Sequence, residues 1–412
     1  MTGRENCALR AGRTRGGHPV SAVEDQAKSA MIREAMPATL QYAYLNTGTF
    51  GPLPRVAIEA MQAYQADELN SGRILRDGYV RAAETKDRAR AALARLFNCS
   101  PANIALTRHT TDGMNIGIFG LNWRSGDELI ISDLEHPGGQ LPAYNVARRF
   151  GVTLRVARLG NGSGDVVGKI ERLVTPRTRM IVISHLTWGT GAVLPLADIV
   201  EMAHRHHILV VVDAAQSAGS VPIDLPATGV DVYAFPGQKW LCGPEGTGGV
   251  YVSDEALDVI QPTIMGYASM GGPMDHHGGY FIPAPGARRY EVGGANAPQI
   301  MGMATSVEFI LDTVGLDWAY RRIAQLGRYA WDRLAAIDGV NVITPKECMA
   351  GLVSFTVDGI EPPDVVERLA EYGVIIRHLN TPTCARVSTG FYNNEEDIDR
   401  LAAALEEIRR AE

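Results

Sequence analysis

Seven short apolar runs alternate with helical stretches over residues 103–252. The runs are Ile104–Leu106, Leu129–Ile131, Leu154–Val156, Met180–Ile183, Ile208–Val212, Val232–Phe235 and Gly249–Val252. Stretches with a helical pattern lie between several of them, for example Pro142–Phe150, Gly168–Val174 and Ala197–His206. Such alternation is typical of a mostly parallel sheet that carries helices on both faces. We therefore predict an α/β fold whose core is a mostly parallel seven-stranded sheet.

The rest of the chain predicts a second, smaller unit. A chain of 412 residues is longer than one hydrophobic core usually supports. After Ile300 a long helical region runs to about Ile337. Short strands are then predicted at Asn341–Thr344, Leu352–Val357, Val374–Arg377 and Ala385–Thr389, with helices at Pro363–Tyr372 and Glu395–Ala411. We predict a disordered tail over residues 1–30, a large domain over 31–300 and a small C-terminal αβ domain over 301–412.

The composition argues against several classes of function. The net charge is -7 and no basic face stands out, so nucleic acid is not expected as the main partner. No apolar run approaches the roughly 20 residues that are needed to cross a membrane. The five cysteines are scattered and form no CxxC pair. We therefore expect reduced thiols in a cytoplasmic protein, with neither a disulfide framework nor a metal site.

One lysine and one aspartate form the most informative pair in the sequence. Lys239 lies on a Gly-rich loop after the run Val232–Phe235; taken alone, it is more readily explained as a solvated surface residue. A lysine beside apolar groups tends to lose its proton, and the neutral amine forms a Schiff base with a carbonyl. Asp213 ends the run Ile208–Val212, at the edge where open α/β sheets place ligands, although a helix N-cap is an equal alternative. Together they suit pyridoxal 5'-phosphate (PLP), which needs a lysine for its aldehyde and a carboxylate for its pyridine nitrogen.

Other polar residues suit the same cofactor. Thr110 and Thr111 begin a predicted helix, whose N-terminus either binds phosphate or is simply capped by them. His136 follows a predicted strand and is either a ring that stacks on the cofactor or a structural histidine. Gln216 lies three residues beyond the aspartate and suits the phenolic oxygen of the cofactor. Arg386 lies in a predicted strand of the small domain, where its guanidinium either holds an amino-acid carboxylate or forms an interdomain salt bridge.

These residues lie in motifs that resemble the class V aminotransferase family of fold-type I PLP enzymes. The family includes cysteine desulfurases, isopenicillin N epimerase and cystine C–S lyase. YLNTGTFGPLPR and RVSTGFYNNEEDIDRLAAAL, at the two ends of the chain, resemble the epimerase. The stretches that resemble the C–S lyase more are Trp123–Gly138, SHLTWGTGAVLPLADI, DAAQSAG, GQKWLCGPEGTGGVYV and AGLVSFTV. The resemblance runs from about Tyr44 to Glu407 and implies the fold of the fold-type I PLP-dependent transferases.

The resemblance also implies roles for single residues. Lys239 would be the cofactor-binding lysine and general base, Asp213 the partner of the pyridine nitrogen, and His136 the stacking residue. The other implied cofactor contacts are Thr110, Thr111, Gln216, Gln238 and Gly294, and the implied substrate contacts are Arg386, Asn46, Thr47 and Trp188. The segment Glu291–Asn296 matches one that reaches the phosphate of a neighbouring subunit. A homodimer with shared active sites is therefore expected.

Three positions near the expected phosphate depart from the family pattern. The family usually has Ser or Thr three residues before the lysine and His directly before it; this chain has Pro236 and Gln238 there. Gly294 stands where a threonine is expected. A proline and a glycine offer no side-chain donor, although a glutamine still does. We expect the phosphate to be held by fewer side chains than is usual in the family.

A sulfur-transferring desulfurase is disfavoured by the sequence after Arg377. Desulfurases of that type carry a nucleophilic cysteine on a loop at this place, which accepts sulfur as a persulfide. Here the connection is shortened, and Cys384 lies in strand-like sequence two residues before Arg386. We expect no persulfide chemistry at Cys384.

Three reactions remain for such an enzyme, and all begin with loss of the Cα proton. β-Elimination of a C–S bond yields pyruvate and ammonia, reprotonation gives an epimer, and protonation on the cofactor gives a transamination half-reaction. We predict a C–S lyase that acts on cysteine, cystine or a cysteine S-conjugate, because the matches within residues 123–199 and 350–357 are lyase-like. The alternatives are an isopenicillin N epimerase-like epimerase, an aminotransferase or a decarboxylating variant. A non-enzymatic relative is disfavoured because Lys239 and Asp213 are both present.

Overall fold

The computed structural model describes residues 22–74 and 76–411. Residues 1–21 of the predicted tail lie outside that part of the chain. The helices are α1 (Ala22–Ala35), α2 (Ala38–Gln41), α3 (Arg55–Ser71), α4 (Arg76–Phe97), α5 (Thr110–Phe119), α6 (Pro137–Phe150), α7 (Val166–Glu171), α8 (Leu196–Arg205), α9 (Leu225–Thr228), α10 (Asp254–Val259), α11 (Ala297–Glu308), α12 (Leu316–Ala335), α13 (Pro362–Glu371) and α14 (Glu395–Arg410). The strands are β1 (Ala43–Tyr44), β2 (Ile104–Thr107), β3 (Glu128–Ser132), β4 (Thr153–Ala157), β5 (Thr178–Ser184), β6 (Leu209–Asp213), β7 (Val232–Pro236), β8 (Gly248–Val252), β9 (Val340–Val342), β10 (Leu352–Val357), β11 (Val374–Ile375), β12 (Arg377–Asn380) and β13 (Thr383–Ser388).

Seven strands form one sheet in the order β2-β8-β7-β6-β5-β3-β4. From β4 to β7 all neighbours in this order run parallel, whereas β8 is antiparallel to both β7 and β2. The predicted mostly parallel seven-stranded sheet is therefore confirmed, and each of the seven apolar runs is one of its strands. Every residue of β3, β7 and β8 is buried. Helices on both faces of a parallel sheet make such unbroken apolar runs stable.

Successive side chains of the central strands enter two different cores. Ile130, Val210 and Val212 pack into the core on one face of the sheet. Ile131 and Val211 pack into the core on the other face. This is the expected consequence of strand geometry, in which neighbouring side chains point to opposite faces.

The carboxyl ends of β3, β5, β6 and β7 meet at one edge of the sheet because these strands run parallel. The segments that follow them begin at residues 133, 185, 214 and 237. Half of the candidate site residues lie in or next to these segments: His136, Trp188, Asp213, Gln216, Gln238 and Lys239. Open α/β sheets bind ligands at this edge, so the fold places the candidate residues where a site is expected.

The C-terminal part of the chain forms a second, four-stranded antiparallel sheet in the order β12-β13-β10-β9. Its core includes Leu326 of α12, Leu369 of α13 and Leu405 of α14, all fully buried. This sheet and its helices are the small αβ unit that the sequence predicts. The predicted domain boundary at residue 300 falls within α11 and stays a prediction.

The single strand predicted at Val374–Arg377 is wrong in detail. The chain forms β11, which pairs in parallel with β1, and then changes partner at Ile376 to form β12, which pairs with β13. Each short piece has a buried partner strand, and sequence pattern alone does not reveal which partner a strand takes.

Order begins earlier than the sequence predicts. We expected a disordered tail up to residue 30, but α1 already starts at Ala22. Two residues of this helix are held by the rest of the fold. Ile32 is fully buried, and Arg33 Nη1 lies 2.8 Å from Asp397 Oδ2. These tertiary contacts stabilise a segment whose own apolar pattern is weak.

Among the described helices, none is long and apolar enough to span a membrane.

Candidate active site

Lys239 lies just beyond the end of β7, on the loop that returns to β8. Burial lowers the pKa of its amine to about 8, against the attraction of Asp213, which raises it. Repulsion from Arg386 and Arg377 contributes to this lowering. The ammonium form of Lys239 is therefore less favoured than that of an ordinary lysine.

Asp213 ends β6 and is 4% exposed. Its Oδ1 accepts a hydrogen bond from Ala215 N at 2.9 Å. Burial raises the pKa of Asp213, whereas this hydrogen bond and Lys239 lower it. Residues 214–220 form turns and not a helix, so the helix N-cap alternative for Asp213 is wrong. A Cβ at Gly139 would lie 3.8 Å from Asp213 Oδ2, so the absence of a side chain at Gly139 leaves space beside the carboxylate.

His136 is the N-cap residue of α6, and its Nδ1 accepts a hydrogen bond from Gly138 N at 3.0 Å. An accepting Nδ1 carries no proton, so the proton of the neutral ring is on Nε2. Burial, with contributions from Lys239, Arg377 and Arg386, lowers the pKa of His136 to about 4. The ring packs edge to face against Trp188, with 4.9 Å between the ring centroids. His136 is therefore a neutral, oriented hydrogen-bond donor.

Arg386 is fully buried in β13 and lies directly opposite Arg377 of β12. Its Nη1 donates to the carbonyl oxygen of Trp188 at 2.8 Å, which fixes the guanidinium plane. Its Nε and Nη2 have no hydrogen-bond partner among the described residues. Burial, with a contribution from the charge of Arg377, lowers the pKa of Arg386 to about 9. The predicted alternative, an interdomain salt bridge, is absent from the described ion pairs of Arg386.

The N-terminal loop that begins at Asn46 lies over this arginine. Gln216 Nε2 donates to the carbonyl oxygen of Gly48 at 2.9 Å, and Gln216 Oε1 accepts from Trp240 Nε1. The second N–H of the Gln216 amide remains available for another acceptor. Asn46 Oδ1 accepts from Thr49, and the hydroxyl of Thr47 bonds to that of Tyr392. Asn46 Oδ1 and the Thr47 hydroxyl are thus already used within the loop and its neighbours.

The expected phosphate end is formed by the start of α5. Thr110 is the first residue of this helix, and the side chain of His109 before it does not cap the helix. A Cβ at Gly138 would lie 2.8 Å from Thr111 Oγ1, so Thr111 and the His136 loop approach closely there. Gln238 Oε1 is buried without a partner among the described residues.

Gly294 is not brought to this set of residues by the single chain. It is exposed, and the hydroxyl of Tyr267 is the one described group within 4 Å of a Cβ built on it. The role of the segment Glu291–Asn296 at a neighbouring subunit stays a prediction.

Three residues of this region were not among the predicted site residues: Glu135, Gly48 and Ser388. Glu135 is 3% exposed and accepts hydrogen bonds from the hydroxyls of Ser132 and Ser184. Burial raises the pKa of Glu135 to about 7. Its position beside His136 was a signal in the sequence. Ser388 has a weaker signal, since it lies two residues after Arg386 and so on the same face of its strand.

The described cysteines do not form a sulfur-accepting site. Cys384 is fully buried in β13, and burial raises the pKa of its thiol. The connection between β12 and β13 consists of Thr381 and Pro382 alone. A two-residue turn has no room for a mobile cysteine loop, which supports the prediction that Cys384 does no persulfide chemistry.

A two-unit α/β chain with a lysine, an aspartate and a histidine at the carboxyl edge of its parallel strands has the site of a fold-type I enzyme. The chain belongs to the aminotransferase class-V family, whose sequence pattern matches residues 43–401. It is 30% identical over 397 residues to a probable cysteine desulfurase of Methanothermobacter thermautotrophicus, covering 92% of this chain and 97% of that one. A cysteine desulfurase of Escherichia coli is 29% identical, over 90% of this chain and 94% of its own.

Two solved structures share both fold and sequence with this chain at 34% identity. One is a lysine-to-alanine mutant of C-DES with glycine covalently linked to its PLP cofactor, with a TM-score of 0.87 over 91% of this chain and 99% of C-DES. The other is the complex of the cystine C–S lyase C-DES with its reaction product cysteine persulfide, with a TM-score of 0.86 over 90% and 99%. The predicted family and fold are confirmed.

Proposed function

We propose that this protein is a PLP-dependent carbon–sulfur lyase that eliminates sulfur from cysteine, cystine or a cysteine S-conjugate. The observation that carries the proposal is the pair of Lys239, with its lowered pKa, and the buried Asp213 at the carboxyl edge of the sheet. The similarity to cystine C–S lyase over nine-tenths of the chain adds the reaction type.

The residues present fit the cofactor. Lys239 offers an amine that is neutral in part near pH 8, and Asp213 offers a buried carboxylate. The uncapped start of α5 offers backbone N–H groups to a phosphate. When bound, PLP withdraws electrons from the Cα of an amino acid and so weakens the bonds around that carbon.

We assign the proton transfer to Lys239. Lys239 Nζ removes the Cα proton, because its lowered pKa leaves neutral amine available near pH 8. The neutral His136 does not give up a proton; its Nε2–H donates a hydrogen bond, because Nδ1 accepts from Gly138 N. With cystine and water as substrates, cleavage of the Cβ–S bond yields pyruvate, ammonia and cysteine persulfide.

We assign the substrate carboxylate to Arg386. Its unpartnered Nε and Nη2 form one planar edge of the guanidinium, which matches the two oxygens of a carboxylate. Trp188 holds the other side of the guanidinium through its carbonyl oxygen. This anchor orients the amino acid and helps to select which bond at Cα is broken. Arg377, directly opposite on β12, is the second cation at this place.

Sulfur transfer of the desulfurase type is disfavoured, although relatives of 29–30% identity are named cysteine desulfurase. Cys384 is buried, and the two-residue turn before it leaves no loop at this place that could carry a mobile cysteine. We infer that sulfur leaves this enzyme as a small molecule.

The reaction is tested by incubating the holoenzyme with cystine, a cysteine S-conjugate and alanine, separately, in heavy water. We expect pyruvate and ammonia from the two sulfur compounds without any added keto acid. Lys239→Ala is the matched control and should produce neither. Accumulation of a D-amino acid labelled at Cα would support an epimerase, and turnover that stops until a keto acid is added would support an aminotransferase. Release of carbon dioxide would indicate the decarboxylating variant. Any of these three results without pyruvate would overturn the lyase assignment.

We further propose a homodimer in which the segment around Gly294 completes the phosphate site of the neighbouring protomer. Large apolar side chains are exposed in the same part of the chain, including Ile264, Tyr267 and Tyr280, each more than 60% exposed. Such a surface is typical of a protein interface.

A cytoplasmic location is proposed because the described cysteines are free thiols.

A further inference from the structure

Three buried polar atoms on one face of β13 lack hydrogen-bond partners among the described residues. They are Nε and Nη2 of Arg386 and Oγ of Ser388. Both residues are fully buried. A buried polar atom without a partner is costly, so such an atom in a native fold indicates a role.

The two side chains point in the same direction. They are two positions apart in an extended strand, which puts them on one face of the sheet. A Cβ built on Gly48 would lie 2.7 Å from Ser388 Oγ and 2.9 Å from Arg386 Nη2. Arg386 Nη2 and Ser388 Oγ are therefore less than about 6 Å apart beside the N-terminal loop, a separation that the two oxygens of one carboxylate can bridge.

The rest of Ser388 is tightly held while its hydroxyl is not. Its backbone N–H donates to the carbonyl oxygen of Leu45 at 2.8 Å, and its carbonyl oxygen accepts from the hydroxyl of Thr47. Arg386 is held in the same way, by its Nη1 at the carbonyl oxygen of Trp188. The guanidinium of Arg386 and the backbone of Ser388 are thus positioned in advance of any ligand, which lowers the entropy cost of binding one.

We propose that Ser388 is a substrate-binding residue, whose hydroxyl donates a hydrogen bond to the same substrate carboxylate that Arg386 holds. The inference rests on the proposed function, in which Arg386 is the carboxylate anchor. Arg386 supplies charge and two parallel donors, and Ser388 supplies a third donor from the side. Gly48 has no side chain because a Cβ there would occupy the space between them. Together they make the site selective for a free α-carboxylate over an amide.

The test compares two ligands that differ in the carboxylate alone. L-2-Aminobutyrate has the shape of cysteine but no leaving group, and its carboxamide lacks the negative charge. Dissociation constants of both are measured by titration calorimetry with the holoenzyme and with Ser388→Ala. We expect the variant to bind the carboxylate about tenfold more weakly, the size of one hydrogen bond to a charged group, and to bind the amide almost unchanged. The preference for the carboxylate should therefore fall about tenfold.

The controls separate binding from stability and from the reaction. Thr383→Val removes an exposed hydroxyl at the other end of β13 and should leave both constants unchanged. The melting temperature of Ser388→Ala should not fall, because the hydroxyl has no partner among the described residues. Equal weakening for both ligands, or no change for either, would overturn the role of Ser388. A parent enzyme that does not distinguish the two ligands would remove Arg386 as the anchor as well. A parent that distinguishes them but makes no pyruvate from cystine would overturn the lyase assignment alone.

Discussion

Opposing interactions act on the proton of Lys239. Burial favours the neutral amine and Asp213 favours the ammonium, and burial is the larger effect, since the pKa is lowered to about 8. Arg386 and Arg377 add to the effect of burial. The charges that suit a substrate carboxylate therefore also help to keep the lysine neutral. The pKa of Lys239 therefore depends on the charges of single neighbouring residues.

Asp213→Asn should lower the pKa of Lys239 below about 8, because it removes the one charge that raises that pKa. The neutral amine is the form that attacks an aldehyde, so the rate of PLP attachment to the cofactor-free protein should rise with pH through this pKa. The midpoint of that rise, followed by absorbance, should move to lower pH in the variant. Asp198→Asn, on the exposed side of α8, should leave the midpoint in place. An unchanged or higher midpoint in Asp213→Asn would contradict the prediction.

At the scale of elements, one carboxylate joins three parallel strands at the edge opposite the site. Glu128 begins β3 and is 1% exposed. Arg155 of β4 donates to it at 2.6 Å, and Arg177, just before β5, donates at 2.8 Å. These hydrogen bonds hold the pKa of Glu128 at about 2, well below its ordinary value. Charged hydrogen bonds therefore connect the amino ends of these strands, whereas the candidate site residues lie at their carboxyl ends.

Glu128→Gln should destabilise the protein at neutral pH by a few degrees in melting temperature, because the charged partner of both arginines is lost. The pKa of Glu128 is depressed in the fold, so its contribution is present above its unfolded pKa of about 4.5. That contribution is lost as pH falls from about 4.5 towards 2. The difference between the melting temperatures of parent and variant should therefore shrink over this range. Glu59→Gln, an exposed position on α3, should show no such pH-dependent difference. A gap that stays constant down to pH 3 would argue against the prediction.

At the scale of the whole molecule, the single chain lacks a contact that the proposed site needs. Gly294 lies on an exposed segment, and the described apolar side chains near it are exposed as well. Arg90 holds the start of this segment through a buried bidentate ion pair with Glu291. A segment that is held at its first residue and exposed after it is suited to contact a second protomer.

Mixing two inactive variants tests the shared site. Lys239→Ala removes the reactive lysine, and Gly294→Asp places a negative charge where a phosphate is expected, so each homodimer should be inactive. A mixed dimer would contain one intact site, made of Lys239 from one protomer and Gly294 from the other. Random reassortment should then restore about a quarter of the parent activity, because half of the dimers are mixed and each has one working site of two. No activity after verified exchange of protomers would show that the sites are not shared.

The sequence by itself determined the strand pattern and most of the chemistry of the site. Runs such as Ile208–Val212 predict a buried strand because a short continuous run of apolar residues is a local property of the chain. Lys239 and Asp213 were found because each lies at the end of such a run, where parallel strands gather their polar residues. Their assignment to PLP rested on the residue types, and the resemblance to the family extended it to residues such as Trp188.

Only the tertiary structure decided which distant segments meet. The helix α1 is held by an ion pair to Asp397 and by burial in a core, although its own apolar pattern is weak. At Ile376 the chain changes from one partner strand to another, and no local sequence pattern indicates this change. The meeting of Gly48 with Arg386 and Ser388 is likewise a result of folding, since the N-terminal loop and β13 are far apart in the chain. Burial and the loss of hydrogen-bond partners depend on every neighbour at once. For that reason the unpaired hydroxyl of Ser388 was visible in the fold and not in the sequence.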